Sequence, residues 1–423
     1  MHDDDRPRVG LFTFGSPGDI FPFIAIAEAL NRRGVVPFIA SSSAYRGHVE
    51  SRGIGFIGMR PERPEQLLDP DMSDRVLAGA SPAKVFASMF LRDLRASYED
   101  AVLVMQDLTA VVVHPLALGP ALAAERLGIP RIAVQLQPMG MFSSREFPAL
   151  GPPILAEALW GMPPALGAGV LAVVRAVESQ WADSWHALRH EIGLPPAPNP
   201  LIGYMAESRL TLGLFSPLLG AAQSDWPEHA VVTGFPFATP RSSVLDPVVE
   251  NFFAAGPPPV VFTLGTTAVM DPGPFHEVSA TAAQLAGLRG VLLMGPHGPE
   301  SPTLLGPDLL AIKWLDHAWA FPRASAVVHQ GGIGTLAQAM RAGKPMIVMP
   351  YAHDQPDNAR RMERLGIGRR IDRDDYRSPA VANALTSLLS DSSVLRKARD
   401  VGMVVRMEDG GTVAADCIKA LIE

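Results

Sequence analysis

The stretch His329-Gln330-Gly331-Gly332-Ile333-Gly334-Thr335-Leu336 decides how this sequence folds. An apolar run at residues 326–328 predicts a strand that leads into it, and the pattern predicts a helix that begins near Gly334. The glycines between them lack the side chains that would hold a ligand away from the backbone. Free amides at a helix N-terminus attract negative charge. The segment therefore predicts either a diphosphate site, to which His329 could donate a hydrogen bond, or a structural turn.

Two further segments place functional side chains after predicted strands. Asp354 and Gln355 follow an apolar run at 346–349, and open parallel sheets bind ligands beyond the carboxyl ends of their strands. Their polar atoms suit sugar hydroxyls, and Asp354 could also cap a helix over 358–365. Trp314 follows an apolar run at 309–313 and could either stack on a nucleotide base or belong to the core.

The N-terminal segment predicts a similar strand, turn and helix. Residues 9–14 are apolar, Gly15-Ser16-Pro17-Gly18 marks a turn, and apolar residues then recur at helical spacing up to Leu30. Strand candidates at 35–40, 110–114 and 131–136 alternate with a helical stretch at 116–127, which is typical of a parallel sheet covered by helices. Asp19 directly follows the turn, where it could be a helix cap or a reactive carboxylate.

A proline-rich composition between residues 235 and 259 predicts a connection between two domains. After it, Val261-Phe262-Thr263-Leu264-Gly265 repeats the pattern of Leu11-Phe12-Thr13-Phe14-Gly15. We therefore predict an α/β protein with two sheets of similar build, divided into domains at 1–238 and 259–405 by a linker at 239–258.

Composition excludes several classes of function. The chain has 423 residues, of which 48% are hydrophobic and 19% charged, and its formal charge is −7. A negative surface disfavours nucleic acid, because phosphate backbones are bound mainly by cationic side chains. The single cysteine, Cys417, excludes an intramolecular disulfide, and the acidic start at residues 1–5 does not resemble a secretory signal. A cytoplasmic location is expected.

Two uncharged stretches and two aspartate clusters need separate explanations. Residues 158–174 are too short and too rich in proline and glycine to span a bilayer, so they and residues 210–224 predict a pocket wall, an interfacial surface or buried core. Asp69 with Asp71, and Asp372 with its neighbours Asp374 and Asp375, superficially resemble metal sites, but such turns are commonly solvated. No metal site is expected.

The motifs together resemble a known family. Trp314, His329-x-Gly-Gly-x-Gly-Thr335 and Pro350-x-x-x-Asp354-Gln355-x-x-Asn358 resemble the donor signature of family 1 nucleotide-sugar glycosyltransferases, which have the GT-B fold. The Gly15–Pro22 segment is similar to their N-terminal acceptor loop, and the run at 352–361 is most similar to bacterial lipid rhamnosyltransferases, then to sterol and macrolide glycosyltransferases. The resemblance implies two Rossmann-like domains facing across a cleft, with the acceptor bound by 1–238, the donor by 259–405, and a C-terminal helix at 406–423 packed back on the first domain.

The resemblance also implies a role for each motif residue. Thr266 would add a hydroxyl contact, and Trp314 would stack on the nucleotide base. Asp354 and Gln355 would hold the sugar. The diphosphate would be held by His329 and by the backbone amides of Gly331, Gly332, Gly334 and Thr335. No cofactor or metal is implied. Apart from the resemblance, Asp19 is predicted to be the general base, because a carboxylate at the start of the first helix can take the proton of an acceptor hydroxyl.

Three positions depart from the family pattern. Plant relatives have His at the position of Asp19, Gln330 replaces a common His or Cys, and Ala337-Gln338 replace a Glu that holds the ribose. The expected reaction is inverting transfer of a glucose- or rhamnose-type hexose from a UDP- or dTDP-sugar to a lipophilic alcohol, phenol or lipid, with at most peripheral membrane contact. An epimerase, a phosphorylase or a catalytically silent binding module remain alternatives, because a fold does not fix a function.

Overall fold

The computed structural model describes residues 6–62, 91–149, 158–160, 162–179, 182–200, 203–239, 245–266 and 268–423. The chain forms two compact units. Unit 1 comprises Met1–Pro217, Ala221–Ala238 and Asp409–Glu423, and unit 2 comprises Leu218–Gly220 and Thr239–Glu408. Each unit has a seven-stranded sheet.

The unit 1 sheet is parallel in every strand pair, in the order β3-β2-β1-β4-β5-β6-β7. Its strands are β1 (Arg8–Phe12), β2 (Val36–Ser41), β3 (Gly55–Gly58), β4 (Ala110–Val113), β5 (Arg131–Gln135), β6 (Leu210–Gly213) and β7 (Ala230–Val232). Its helices up to β7 are α1 (Pro17–Asn31), α2 (Arg46–Glu50), α3 (Leu94–Val104), α4 (Leu118–Leu127), α5 (Pro164–Ser179) and α6 (Asp183–Glu191). All residues of β4 and β5 are buried, as expected for a parallel sheet covered on both faces.

The unit 2 sheet has the order β10-β11-β9-β8-β12-β13-β14, and only its edge strand β10 is antiparallel to its neighbour among the described pairs. Its strands are β8 (Val260–Thr263), β9 (Gly290–Leu293), β10 (Thr303–Gly306), β11 (Leu309–Ile312), β12 (Ala326–His329), β13 (Met346–Val348) and β14 (Gly368–Arg370). Its helices are α7 (Pro247–Ala254), α8 (Phe275–Leu285), α9 (His317–Ala320), α10 (Ile333–Ala342), α11 (Gln355–Leu365), α12 (Ser378–Ser390) and α13 (Ser392–Met407).

In each sheet the chain adds strands toward one edge and then returns to the middle to add strands toward the other edge. The point of return positions the candidate site. In unit 1 the chain runs from β1 outward to β3 and then returns to β4 beside β1. In unit 2 it runs outward from β8 and returns to β12 beside β8. Ligands of open α/β sheets bind beyond the carboxyl ends of the strands at such switch points. The ends of β1 and β4, and of β8 and β12, are therefore the places to examine.

The final helix, α14 (Gly410–Ile422), belongs to unit 1 and packs against α1. Ala414, Ala415 and Ile418 are fully buried there, and Arg33 Nε lies 2.5 Å from Asp416 Oδ1.

Three stretches singled out in the sequence have the following structure. The proposed linker contains α7, which Asp246 caps, and residues 240–244 lie outside the described residues. Residues 210–224 contribute β6 and the buried Phe215 and Leu219, so this stretch belongs largely to the core. In the described part of the chain, no helix combines the length and apolar character needed to cross a bilayer.

Candidate active site

Helix α10 begins at the unit 2 switch point without a capping side chain. Its N-cap is Gly332, which receives no side-chain capping hydrogen bond, and Gly334 in its first turn is exposed. The first amides of a helix have no partner within the helix. The start of α10, including the amides of Gly334 and Thr335, is therefore suited to hold an anion. The Thr335 side chain itself is buried.

His329 does not present a donor to a ligand, contrary to the prediction. Its ring is fully buried, Nδ1 accepts a hydrogen bond from the Gly331 amide at 3.0 Å, and Nε2 lies 3.5 Å from Met346 Sδ. Burial, helped by nearby His317, lowers the pKa of His329 to about 3, so the imidazole is neutral. His329 therefore stabilises the turn by accepting the Gly331 amide from the buried side.

Gly331 is needed for the turn rather than for its amide. Its φ of +93° is in the region that favours glycine, and a Cβ there would lie 2.7 Å from Val348 Cγ1. Its N–H is already donated to His329. This amide is therefore engaged within the turn in this structure, and its contact with a diphosphate stays a prediction.

Gln330 is the side chain that reaches the turn instead. It is 5% exposed, its Oε1 is buried without a hydrogen bond, and its amide group has no hydrogen-bond partner among the described residues. A Cβ added to Gly265 would lie 2.2 Å from Gln330 Nε2, and one added to Gly332 would lie 2.8 Å from it. The two glycines thus leave room for the Gln330 amide between the loops that follow β8 and β12. Half-buried Thr266 follows Gly265 in the first of these loops.

Asn358 joins the two halves of the donor signature. Its Nδ2 donates to Gly331 O at 2.9 Å and to Asp354 Oδ2 at 2.6 Å. Asp354 occupies the N-cap position of α11 but makes no side-chain capping hydrogen bond, so capping does not explain it. Asn358 therefore connects the glycine turn after β12 to the Asp354 side chain at the start of α11.

Gln355 is buried and braces the loop that leads to Asp354. Its Oε1 accepts hydrogen bonds from the amides of Tyr351, at 2.7 Å, and Ala352, at 3.2 Å. These two bonds leave Nε2 as its polar atom for other contacts.

Trp314 is not a core residue. It follows β11, and 55% of its surface is exposed. The ring lies close to Gly295, where an added Cβ would be 3.3 Å from Cη2. One edge of the indole is thus supported by backbone, and the exposed surface can stack on a planar ligand.

At the unit 1 switch point, Asp19 is part of a capping box. Ser16 is the N-cap of α1, and Asp19 Oδ2 accepts hydrogen bonds from Ser16 N at 2.7 Å and Ser16 Oγ at 2.9 Å. Gly15 has a φ of +128°, and a Cβ there would lie 2.4 Å from Asp19 Oδ2. Asp19 is therefore the third residue of the helix, and only one of its oxygens is used by the cap.

The second oxygen of Asp19 faces His114, at the end of the neighbouring strand β4. His114 Nε2 lies 3.3 Å from Asp19 Oδ1, and His114 Nδ1 accepts the Leu116 amide at 3.2 Å. The side chain of Asp19 is 24% exposed and that of His114 is 5% exposed. The sequence did not single out His114, because the two residues are far apart in the chain and only the strand order brings them together.

A small apolar cluster follows β5 in unit 1. Phe147, Leu159 and Leu171 form its buried part, with the partly buried side chains of Phe142 and Met162 against it. The loop is anchored by Asp225, whose carboxylate accepts Ser144 N at 2.6 Å and Ser143 Oγ at 2.9 Å. Burial opposes ionisation, but these hydrogen bonds outweigh it and hold the pKa of Asp225 below its usual value.

No group of three or more His, Cys, Asp or Glu side chains suited to a metal occurs within the described ranges. Asp372 accepts a hydrogen bond from Arg370 Nε, and Asp69 and Asp71 lie outside the described residues.

Two such sheets, each with one switch point, are the architecture of the GT-B fold. Residues 9–141 match the model of the glycosyltransferase family 28 N-terminal domain, and residues 244–401 match that of UDP-glucoronosyl and UDP-glucosyl transferase. The O-mycaminosyltylonolide 6-deoxyallosyltransferase of Streptomyces fradiae is 30% identical over 420 residues, which cover 95% of this chain and 94% of that protein. The chain therefore belongs to the family 1 nucleotide-sugar glycosyltransferases, which confirms the family predicted from the sequence.

Further relatives agree. A sterol 3-beta-glucosyltransferase of Cryptococcus neoformans is 26% identical over 97% of this chain, which spans 27% of that longer protein. The crystal structure of the kitacinnamycin glycotransferase superposes with a TM-score of 0.75 at 20% identity, covering 99% of this chain and 100% of the other. A spinosyn rhamnosyltransferase complexed with thymidine diphosphate superposes with a TM-score of 0.70 at 19% identity, covering 98% and 100%. The predicted GT-B fold is confirmed.

Proposed function

We propose that this enzyme transfers a glucose- or rhamnose-type hexose from a UDP- or dTDP-sugar to a hydroxyl of a lipophilic small molecule, with inversion at the anomeric carbon. The observation that carries the proposal is the uncapped start of α10 beside the Nε2 of Gln330, which lies next to Gly265 and Gly332 at the switch point of unit 2. A diphosphate would accept hydrogen bonds from both.

The remaining donor contacts follow from the positions of the side chains. The amides of Gly332, Gly334 and Thr335 and the Nε2 of Gln330 hold the diphosphate. The exposed indole of Trp314 stacks on the base, and the Thr266 hydroxyl adds a contact from the neighbouring loop. Asp354 and the Nε2 of Gln355 hold sugar hydroxyls.

The nucleoside is expected to be thymidine or uridine, with less dependence on the ribose 2′-hydroxyl than in plant relatives. Ala337 is 4% exposed and cannot accept a hydrogen bond from a ribose hydroxyl through its side chain. A thymidine nucleotide lacks the 2′-hydroxyl and loses less at such a position.

A lipophilic acceptor is supported by unit 1. The apolar cluster around Phe147 lies on the segments after β5, and β5 is next to β4, which carries His114 toward Asp19. Apolar side chains close to one reactive polar group are typical of pockets for small apolar ligands. The names of the macrolide and sterol relatives agree with such an acceptor.

In the proposed reaction Asp19 is the general base. The acceptor oxygen forms a bond to the anomeric carbon with its electron pair, its proton moves to the Asp19 carboxylate, and the bond from the anomeric carbon to the diphosphate breaks. The bonding pair leaves on the diphosphate, whose charge is stabilised by the start of α10.

A panel of UDP- and dTDP-sugars with alkyl, sterol and polyphenol alcohols tests the proposal, with products identified by mass. We expect transfer to lipophilic alcohols, and loss of about 10²–10⁴ in turnover for Asp19→Asn, because Asn keeps the shape but cannot take the proton. Nucleotide binding by the variant should be unchanged. Transfer only to free monosaccharides would contradict the proposed acceptor, and a fully active variant would contradict the proposed base.

A further inference from the structure

We propose that His114 is a positioning residue for the transfer reaction: its Nε2–H directs and holds the reactive oxygen of Asp19. The inference rests on the proposed role of Asp19 as general base and adds a residue that no motif in the sequence indicated.

The two oxygens of Asp19 have different surroundings. Oδ2 accepts two hydrogen bonds from Ser16, so it is held by the start of α1. Oδ1 makes neither of these bonds and faces His114 Nε2 at 3.3 Å. His114 therefore controls the orientation of the oxygen that the capping box leaves for chemistry.

The backbone fixes which nitrogen of His114 carries the proton. Nδ1 accepts a hydrogen bond from the Leu116 amide at 3.2 Å, so it carries no hydrogen in this arrangement. A neutral imidazole must then carry its hydrogen on Nε2, the nitrogen that faces Asp19. In this tautomer Nε2 is a donor and cannot accept the proton of the acceptor hydroxyl.

The difference in exposure between His114 and Asp19 indicates which of them meets the substrate. The His114 side chain is 5% exposed, and its ring packs against Phe23 with centroids 6.1 Å apart. Asp19 is 24% exposed and is the member of the pair that a substrate can reach. The acceptor proton therefore moves to the Asp19 carboxylate, and the resulting carboxylic acid returns it to solvent after the products leave. Throughout this step the Nε2–H of His114 remains directed at Asp19 Oδ1.

The pair is also fixed by the sheet. β1 and β4 are adjacent parallel strands, with Phe12 opposite Val113, and the His114 amide donates to Phe12 O at 2.9 Å. Asp19 is held in turn by Thr13, whose hydroxyl donates to Asp19 O at 3.0 Å. Both partners therefore start from rigid elements, as an aligned proton transfer requires.

The test compares His114→Phe, which keeps a ring and removes both nitrogens, with His114→Gln, which can return an N–H donor. For His114→Phe we expect kcat to fall about 10–100-fold, the cost typical of a misplaced catalytic group, with the KM for nucleotide sugar unchanged. His114→Gln should recover much of the lost turnover. Thermal unfolding reports whether unit 1, which carries the substitution, is folded in each variant, and calorimetry with the nucleotide checks that unit 2 is unaffected.

A double-mutant cycle separates positioning from a general structural effect. If His114 acts through Asp19, then His114→Phe should cause little further loss in the Asp19→Asn background. Additive losses, or equal losses for the Gln and Phe variants, would overturn the inference. If Asp19→Asn itself keeps full activity, the proposed function of Asp19 fails. If Asp19→Asn is inactive while His114→Phe is fully active, only the present inference fails.

Discussion

Two adjacent residues, His329 and Gln330, have opposite environments at the end of β12. His329 is the last residue of the strand and its ring points into the core, where it accepts the Gly331 amide. Gln330 is the first residue beyond the strand, and its amide lies between two glycine turns. The side chain that contacts the diphosphate is therefore expected to be a neutral amide, whose donor does not depend on pH.

The first prediction concerns Gln330→Ala. Removing a donor to a charged ligand costs about 1.5–3 kcal/mol, so we expect dTDP or UDP affinity to fall at least about tenfold. Calorimetry with each nucleotide measures the change. Gln284→Ala, an exposed glutamine on α8, is the matched control and should bind normally. Equal affinities for both variants would show that Gln330 makes no contact.

The second prediction concerns pH and His329. Its pKa is about 3 in the folded protein, against 6.5 for a free histidine. Between these values the unfolded chain binds a proton that the folded chain does not, so unfolding becomes easier as pH falls from about 6.5 toward 3, by up to ~1.4 kcal/mol per pH unit from this residue.

His329→Asn tests this directly. Asn can accept the Gly331 amide but does not titrate. Urea unfolding at pH 7.5 and pH 5 should therefore show a smaller pH effect in the variant, even if its stability at pH 7.5 is lower. An unchanged pH effect would mean that His329 is protonated in the folded protein.

At the scale of elements, α1 and α10 start in contrasting ways, each after one of the two strands that form the switch point of its sheet. Helix α1 follows β1 and is capped by Ser16 and Asp19, whereas α10 follows β12 and has a bare glycine at its N-cap. The side chains at the start of α1 thus make its capping hydrogen bonds. The cap uses only Oδ2 of Asp19 and leaves Oδ1 for other contacts. At the start of α10 no side chain caps the first amides, as the proposed diphosphate site requires.

The third prediction follows from this contrast. Gly332 has a φ of −59° and a ψ of 140°, which other residues adopt, and an added Cβ would meet only the end of the Gln330 side chain. Gly332→Asp should cap α10 and raise stability by about 0.3–1 kcal/mol. The same carboxylate would repel the diphosphate, so nucleotide affinity should fall at least about tenfold.

Thermal unfolding and calorimetry measure the two effects, and Gly332→Ala is the control without a charge or a cap. A variant that is more stable and binds nucleotide as tightly as the wild type would show that the diphosphate lies elsewhere.

The sequence predicted these elements well and their contacts less well. The strands at 110–114 and 131–136 were predicted from apolar runs and are β4 and β5, within about one or two residues at each end. Apolar runs do not indicate the order of the strands in the sheet, so the approach of His114 to Asp19 could not be predicted from them. The direction of the His329 ring depends on the face of the sheet toward which this last residue of β12 points. The uniformly apolar run before it does not indicate that face.

At the scale of the whole molecule, unit 1 is built from distant parts of the chain. Helix α14 follows all of unit 2 in the sequence but packs against α1. A Cβ on Gly410 would lie 2.2 Å from Gly234 O, so the helix starts in close contact with the backbone after β7.

The fourth prediction is that Gly410→Ala destabilises unit 1. The backbone at Gly234 cannot move as easily as a side chain, and overpacking typically costs about 1–3 kcal/mol. The thermal midpoint should fall by several degrees. Gly47→Ala is the control, because a Cβ there meets nothing within 4 Å and Ala favours the helix. Equal midpoints for the two variants would indicate that α14 docks loosely.

The return of α14 also has a consequence for how the protein is made. A ribosome that has just completed β7 must still synthesise about 170 residues of unit 2 before α14 exists, which takes roughly 10–30 s at common elongation rates. During that interval the apolar side of α1 that α14 will cover is exposed on the nascent chain. Unit 1 is the first unit to be translated and the last to be completed, so a chain released before α14 is made would carry a finished unit 2 and an unfinished unit 1.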